Sequence, residues 1–301
     1  MGYQRIRYCA WIIGLSLLCA CGLSSKNQGL LFVSARSGNW ELYFLPDAHQ
    51  GAQSVADLSD EGGLLNLTRY PSSDRYPDLS PRGEDLVFAS DRAGAFDLYL
   101  VDLSGNNLRL LSESPFPDTT PRWSPDGKQI AFVSERSERN ENIYLLDLKT
   151  KTPQRLTDDP AADYDPAWFP GSDALAFVSE RSGTTNLYRY DLQSGQITAL
   201  TETEAEKRSP DISPDGKAIC FAERQKSGAW QLVVMQLATG ERKTLSAEQK
   251  WLGVPRWKNK SQIVYSLYRD GRFALEQRDL NEAQPISLLT AQDNREAVWV
   301  Q

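Results

Sequence analysis

The chain has 301 residues, with 33 lysines and arginines against 40 aspartates and glutamates, a formal charge of −7, and a single histidine. This acidic balance lacks the basic footprint of a nucleic-acid binder and disfavours polyanionic partners. The one histidine, His49, leaves little room for a Ser/His or Cys/His catalytic pair, and neither a glycine-rich phosphate loop nor a Cys/His zinc spacing is present.

The first twenty residues read as an address. Met1–Arg7 carries two arginines and no acid, Tyr8–Leu18 is largely apolar, and Leu18-Cys19-Ala20-Cys21 follows. A basic start and a short apolar run before small residues predict a secretory signal, too short for a durable membrane span. The Leu-x-Ala-Cys sequence resembles the bacterial lipobox. That resemblance implies cleavage before Cys21 and diacylglyceryl attachment to its sulfur; a plain signal peptide with an incidental cysteine is the alternative. Gly22, standing where Asp would signal retention, then implies the outer rather than the inner membrane. Residues 1–20 are assigned to the signal, 21–28 to a tether and 29–301 to the folded part. Without the signal, 31 basic residues face 40 acidic ones, a charge of −9. Cys9 and Cys19 leave with the signal. Cys220 then remains as a small core residue with no disulfide partner.

Two strands are predicted next, at Leu30–Ser34 and Glu41–Leu45, and a third at Leu65–Thr68. Between them lies an insertion, Pro46–Gly63, which carries His49 and is either a contact loop or a tolerated surface excursion. From Pro77 onward the chain repeats itself. Pro77, Pro121, Pro166, Pro210 and Pro255 stand 44, 45, 44 and 45 residues apart, and an aromatic recurs in step at Phe88, Phe132, Phe177, Phe221 and Tyr265. A fixed period of this length marks a repeat architecture.

The copy beginning at Pro121 shows what one period encodes. Arg122-Trp123-Ser124 is a short extended run, and Pro125-Asp126-Gly127 is a tight turn, with Pro fixing φ and Gly supplying φ > 0. Ile130–Ser134 is a near-continuous apolar strand, Ile143–Leu148 a third strand, and Gln154–Thr157 a short outer one. Four strands per period predict an all-β chain, a six-bladed β-propeller of four-stranded antiparallel blades. The copy at Pro255 has lost the Pro-Asp-Gly turn. Blade one lacks an inner strand, and Arg295–Trp299 matches Tyr164–Trp168, so the C-terminus is expected to close the ring by completing blade one.

Recurrent charged residues read as parts of the blade. Asp102, Asp147, Asp191 and Asp279 sit before a leucine and a turn, and Asp126 and Asp215 lie within Pro-Asp-Gly turns, so all are expected to bond turn backbone. Arg36, Arg92, Arg136 and Arg181 follow the second strand, with Arg224 and Arg269 nearby, and are expected to pair with acids in neighbouring loops. The segments just before each inner strand differ from blade to blade, as a binding surface must. Their candidate partner-binding residues, converging on the channel mouth, are Arg75, Tyr76, Thr120, Tyr164, Asp165, Arg208, Arg295 and Glu296. Ordinary loop polarity is the competing reading. No catalytic set, cofactor or metal site is assigned, although a cation has a place in the channel if Asp165, Glu296 and backbone carbonyls converge there.

The repeat, with its Ser-Pro-Asp-Gly turn, its Ile-Ala-Phe-Val-Ser strand and its Ile-Tyr-Leu-Leu-Asp-Leu strand, resembles that of the TolB propeller family. The likeness is strongest over Pro77–Leu245 and weaker over nearly all of residues 30–300. It implies a periplasmic, non-enzymatic protein-interaction platform, with a peptidoglycan-associated lipoprotein as the family's partner at the channel mouth. Two departures stand out. The blades begin within ten residues of Cys21, leaving no place for the family's preceding α/β domain, and the lipobox implies an anchored rather than a released chain. The expected protein is therefore a monomeric, lipid-anchored envelope module. It is expected on the periplasmic face of the outer membrane, binding a protein or peptidoglycan-associated partner and no nucleic acid. The alternative is an enzyme acting on a sugar or lactone with a channel-bound divalent metal.

Overall fold

The computed structural model describes residues 29–34, 37–46, 65–137, 140–269, 272–282, 284–291 and 297–300. Cys21, His49, Arg36, most of the 46–63 insertion, Arg295 and Glu296 lie outside the described residues. The described residues form six four-stranded antiparallel sheets, each one blade, and no helix. Five sheets run in strict chain order. The sixth takes its inner strand from the far end of the chain: Ala297–Val300 pairs antiparallel with Gly29–Ser34, with Leu31 opposite Val298. The ring is closed as expected, which ties the chain ends together and removes two open sheet edges.

Each blade follows from its sequence. In the third, Asp118–Trp123, Gln129–Ser134, Asn142–Asp147 and Pro153–Arg155 run from the axis outward. The second strand is apolar on both faces because neighbouring blades cover both, and Ile130, Ala131, Phe132 and Val133 are buried. The turn before it is held by Gly127 N–H donating to the Ser124 carbonyl at 2.8 Å, with Gly127 at φ +72°, a conformation that favours glycine. The recurring aromatic packs against a tyrosine of the third strand: Phe88 with Tyr99, Phe132 with Tyr144 and Phe177 with Tyr188, at 6.0, 5.7 and 5.9 Å between centroids. The core is therefore a set of apolar layers between blades. One joins blades two and three through Val87, Leu98, Trp123 and Phe132, and another joins four and five through Ala176, Val178, Phe221 and Val233. Blade six keeps only Arg256–Trp257 as inner strand, and its middle strands, Gln262–Arg269 and Arg272–Asp279, are longer than the rest.

The recurrent aspartates bond turn backbone as expected. Asp147 Oδ1 accepts the N–H groups of Lys149 and Thr150, both at 2.9 Å, and Asp191 Oδ1 accepts Ser194 N–H at 3.0 Å. The recurrent arginines are architectural too, and loop acids are part of their pairing: Arg224 pairs with Glu206 at 3.1 Å, and Arg181 Nε lies 4.0 Å from Asp159. Arg92, Arg136 and Arg181 pair with Asp74, Asp118 and Asp163, fully buried residues that begin the inner strand of the same blade. Each guanidinium also lies over its blade's aromatic pair; Arg181 is 5.5 Å from the Phe177 ring and 5.0 Å from Tyr188. Blade five reverses the charges. Lys207 stands where the others have Asp, fully buried beside Glu223, which Arg242 also pairs. Cys220 is buried as expected, and desolvation pushes its thiol well above its ordinary pKa.

Candidate functional site

The inner strands begin earlier than the sequence suggests. Asp74–Leu79, Asp118–Trp123, Asp163–Trp168 and Lys207–Ile212 each include the residues read as a loop before the strand. Each contains a bulge, with the register slipping between Arg75 and Asp78, Thr119 and Arg122, Tyr164 and Ala167, and Arg208 and Asp211. At each bulge a non-glycine residue adopts left-handed backbone just before a proline: Tyr76, Thr120, Asp165 and Ser209, with φ of 54°, 47°, 52° and 54°. Pre-proline residues normally sit in extended regions, and β-branched residues such as Thr avoid positive φ, so the bulges hold local strain.

Those four residues form the rim of a small open cavity on the propeller axis. The prolines that follow them, with Val254, Arg122 and Arg256, complete its wall. The expected mouth residues thus divide. Tyr76, Thr120 and Asp165 line the cavity, and Ser209 joins them. Arg75, Tyr164 and Arg208 pack between blades instead. The Arg75 guanidinium lies 5.8 Å from the Trp40 ring and 5.7 Å from Phe96. Arg208 stacks 3.8 Å from the Trp230 ring and donates to the Leu252 carbonyl at 2.7 Å. Tyr164 packs against the apolar layers on either side of blade four. Alternation along the strand explains this division: neighbours of a channel-facing residue point into the blade interfaces.

One layer deeper lies a set of charges that the sequence reading missed. The residue after each proline in blades two to six is Asp78, Arg122, Ala167, Asp211 and Arg256, and four of these five are charged. Asp211 Oδ1 accepts Arg122 Nη2 at 2.9 Å and Arg256 Nη1 at 3.0 Å, and Arg122 Nη1 lies 3.6 Å from Asp78 Oδ1. The Arg122–Asp211 pair links blades three and five, which are not neighbours in the ring. The second carboxylate oxygens are held by backbone: Trp123 N–H donates to Asp78 Oδ2 at 2.7 Å and Trp257 N–H to Asp211 Oδ2 at 2.9 Å. Burial pushes the Asp78 carboxyl up to about 6 and the Asp211 carboxyl up to about 7, against the lowering effect of Arg122 on both. Burial also raises Asp165, whose Oδ2 accepts Ser209 N–H at 2.9 Å. The signal was present in the repeats, because this column changes charge while its neighbours keep their type. Among the described residues no three His, Cys, Asp or Glu side chains gather as a metal site.

The sequence profile of the TolB beta propeller domain matches residues 55–140 and 117–301. The chain belongs to the TolB β-propeller family. Solved structures agree on the fold of this TolB-family propeller. TolB from Acinetobacter baumannii superposes with a TM-score of 0.76 at 21% identity, over 92% of this chain and 68% of that one. A puromycin-hydrolyzing peptidase from Mycobacterium tuberculosis gives 0.62 at 15% identity, over 87% of this chain and 45% of that one. Oligogalacturonate lyase in complex with manganese gives 0.64 at 14% identity, over 93% and 78%. At these identities the likeness speaks for fold alone. A search of curated protein sequences finds no match.

Proposed function

We propose that this TolB-family propeller is a cell-envelope interaction module that docks a protein or peptidoglycan-associated partner at its channel mouth. In this reading the lipid at Cys21 holds it to the periplasmic face of the outer membrane. One observation carries the docking site. The same left-handed bulge is built four times around the axis, and each time it presents different chemistry: Tyr76, Thr120, Asp165 and Ser209. The repeated backbone serves the blade, whereas the changing side chains form an asymmetric surface suited to one partner.

An enzyme using a channel-bound divalent cation is the weaker reading, since the deep wall of the cavity presents Arg122 and Arg256, whose charges oppose a cation. The test is crosslinking in native envelopes with wild type and with a Tyr76→Ala, Asp165→Asn variant, captured proteins being identified by mass spectrometry. The reading expects a partner captured by wild type and lost in the variant. Equal capture by both would overturn it. The variant avoids Arg75, Tyr164 and Arg208, whose removal would disturb the blade interfaces themselves.

A further inference from the structure

Arg122 and Arg256 are short of acceptors. A guanidinium carries five N–H donors. The hydrogen bonds given by these two go to a single atom, Asp211 Oδ1. Among the described residues Arg122 Nη1, which lies 3.6 Å from Asp78 Oδ1, and Arg256 Nε have no hydrogen-bond partner, although the two side chains are only 9% and 7% exposed. The Thr120 hydroxyl on the same wall has none either. A buried donor without an acceptor costs free energy, which a bound anion recovers. The cavity wall is therefore built with donors in excess.

The balance of the surrounding charges depends on pH. The groups facing Asp211 are Arg122, Arg256, Asp78 and the buried Cys220 thiol; Arg122 and Arg208 face Asp165. Because burial raises both Asp78 and Asp211, their charges fade as the medium turns acidic while the guanidiniums keep theirs. Asp165, the one carboxylate among the described wall residues, is engaged by Ser209 N–H and hydroxyl.

Resting on the docking reading above, we infer that the cavity is a receptor for one carboxylate, supplied by an acidic side chain of the docked protein and bound by Arg122 and Arg256. Ionised Asp211 competes for the same donors, so binding takes up a proton and strengthens toward acid pH. With one proton linked, affinity changes by up to about tenfold per pH unit.

The test uses acetyl-Gly-Glu-Gly-amide and its glutamine twin as probes, titrated by NMR into the protein at constant ionic strength between pH 8 and pH 6. The glutamate stays ionised across that range. The inference expects saturable shifts with the glutamate peptide alone, tightening several-fold and up to about tenfold between pH 8 and pH 6. Arg256→Gln, with its fold checked by its amide spectrum, should lose the binding. Asp211→Asn should bind more tightly at pH 8 and lose the pH dependence. Equal binding of the two peptides, or undiminished binding by Arg256→Gln, overturns the inference. The two readings fail separately. A partner captured at the mouth while the peptides bind alike sinks the carboxylate receptor only. Glutamate-selective binding with no protein captured at the mouth sinks the docking reading and, with it, a protein as the source of the carboxylate.

Discussion

Replacing Asp211 with alanine removes one side chain and undoes three contacts at once: Arg122 at 2.9 Å, Arg256 at 3.0 Å and the Trp257 N–H at 2.9 Å. What remains is two guanidiniums over nine-tenths buried and a backbone donor without its acceptor. Breaking a buried ion pair by removing one partner costs about 3–5 kcal/mol, because the surviving charge is stranded. For a domain of this size that corresponds to a fall in Tm of roughly 6–10 °C at about 2 °C per kcal/mol. The pH dependence follows from the raised pKa. Between the ordinary aspartate value of 3.8 and about 7, folded Asp211 holds a proton that the unfolded chain does not. This group's contribution to wild-type stability therefore rises as pH falls through that window, and the gap between wild type and Asp211→Ala should widen from pH 8 to pH 5. Urea denaturation at both pH values measures the gap. A difference below about 1 kcal/mol, the level of an exposed pair, or one that narrows toward pH 5, would refute the buried cross-channel clamp.

Three further outcomes are expected. The side-chain carboxyl carbons of Asp78 and Asp211, followed by NMR, should titrate near 6 and 7, well above Asp147, whose carboxyl the N–H groups of Thr150 and Lys149 hold below the ordinary value. Lys207, buried against Asn186 Oδ1 at 3.1 Å and the Ala205 carbonyl at 2.6 Å, has its pKa lowered by desolvation to about 8 from 10.5. Above pH 8 the folded chain gives up this proton before the unfolded chain does, so wild-type stability should rise relative to Lys207→Met between pH 8 and 10, as read by urea midpoints. Gly105→Ala should destabilise by about 1–3 kcal/mol, since Gly105 has φ +79° and a Cβ there would lie 2.9 Å from the Leu67 carbonyl oxygen of blade one.

The repeat made the architecture readable. Prolines and aromatics in step defined the blades, and the match of Arg295–Trp299 to Tyr164–Trp168 placed the closing strand, because both signals are local or strictly periodic. The rim was readable only in part. Pre-proline residues favour extended backbone, so nothing in Tyr76-Pro77 or Thr120-Pro121 announced a left-handed bulge inside the strand. Without the bulge, which residues face the axis was open, and Arg75, Tyr164 and Arg208 were placed at the mouth although they pack between blades. The clamp was hidden for a different reason. Arg122 and Asp211 are 89 residues apart on non-adjacent blades, so only the closed ring brings them together. Blade five carried a compensated exchange, Lys207 with Glu223 where other blades have Asp with Ser, visible once the repeats are aligned on their strands.

The central claim is that the channel mouth is the docking surface, and site-specific photo-crosslinking tests it most directly. The chain would carry Tyr76→p-benzoyl-phenylalanine on the rim or, as control, the same substitution at Ile286, exposed on the outer strand of blade six. After irradiation of native envelopes, the account predicts a discrete crosslinked protein from position 76 and none from position 286. Adducts from position 286 with none from position 76 would contradict it and move the partner surface to the blade edges.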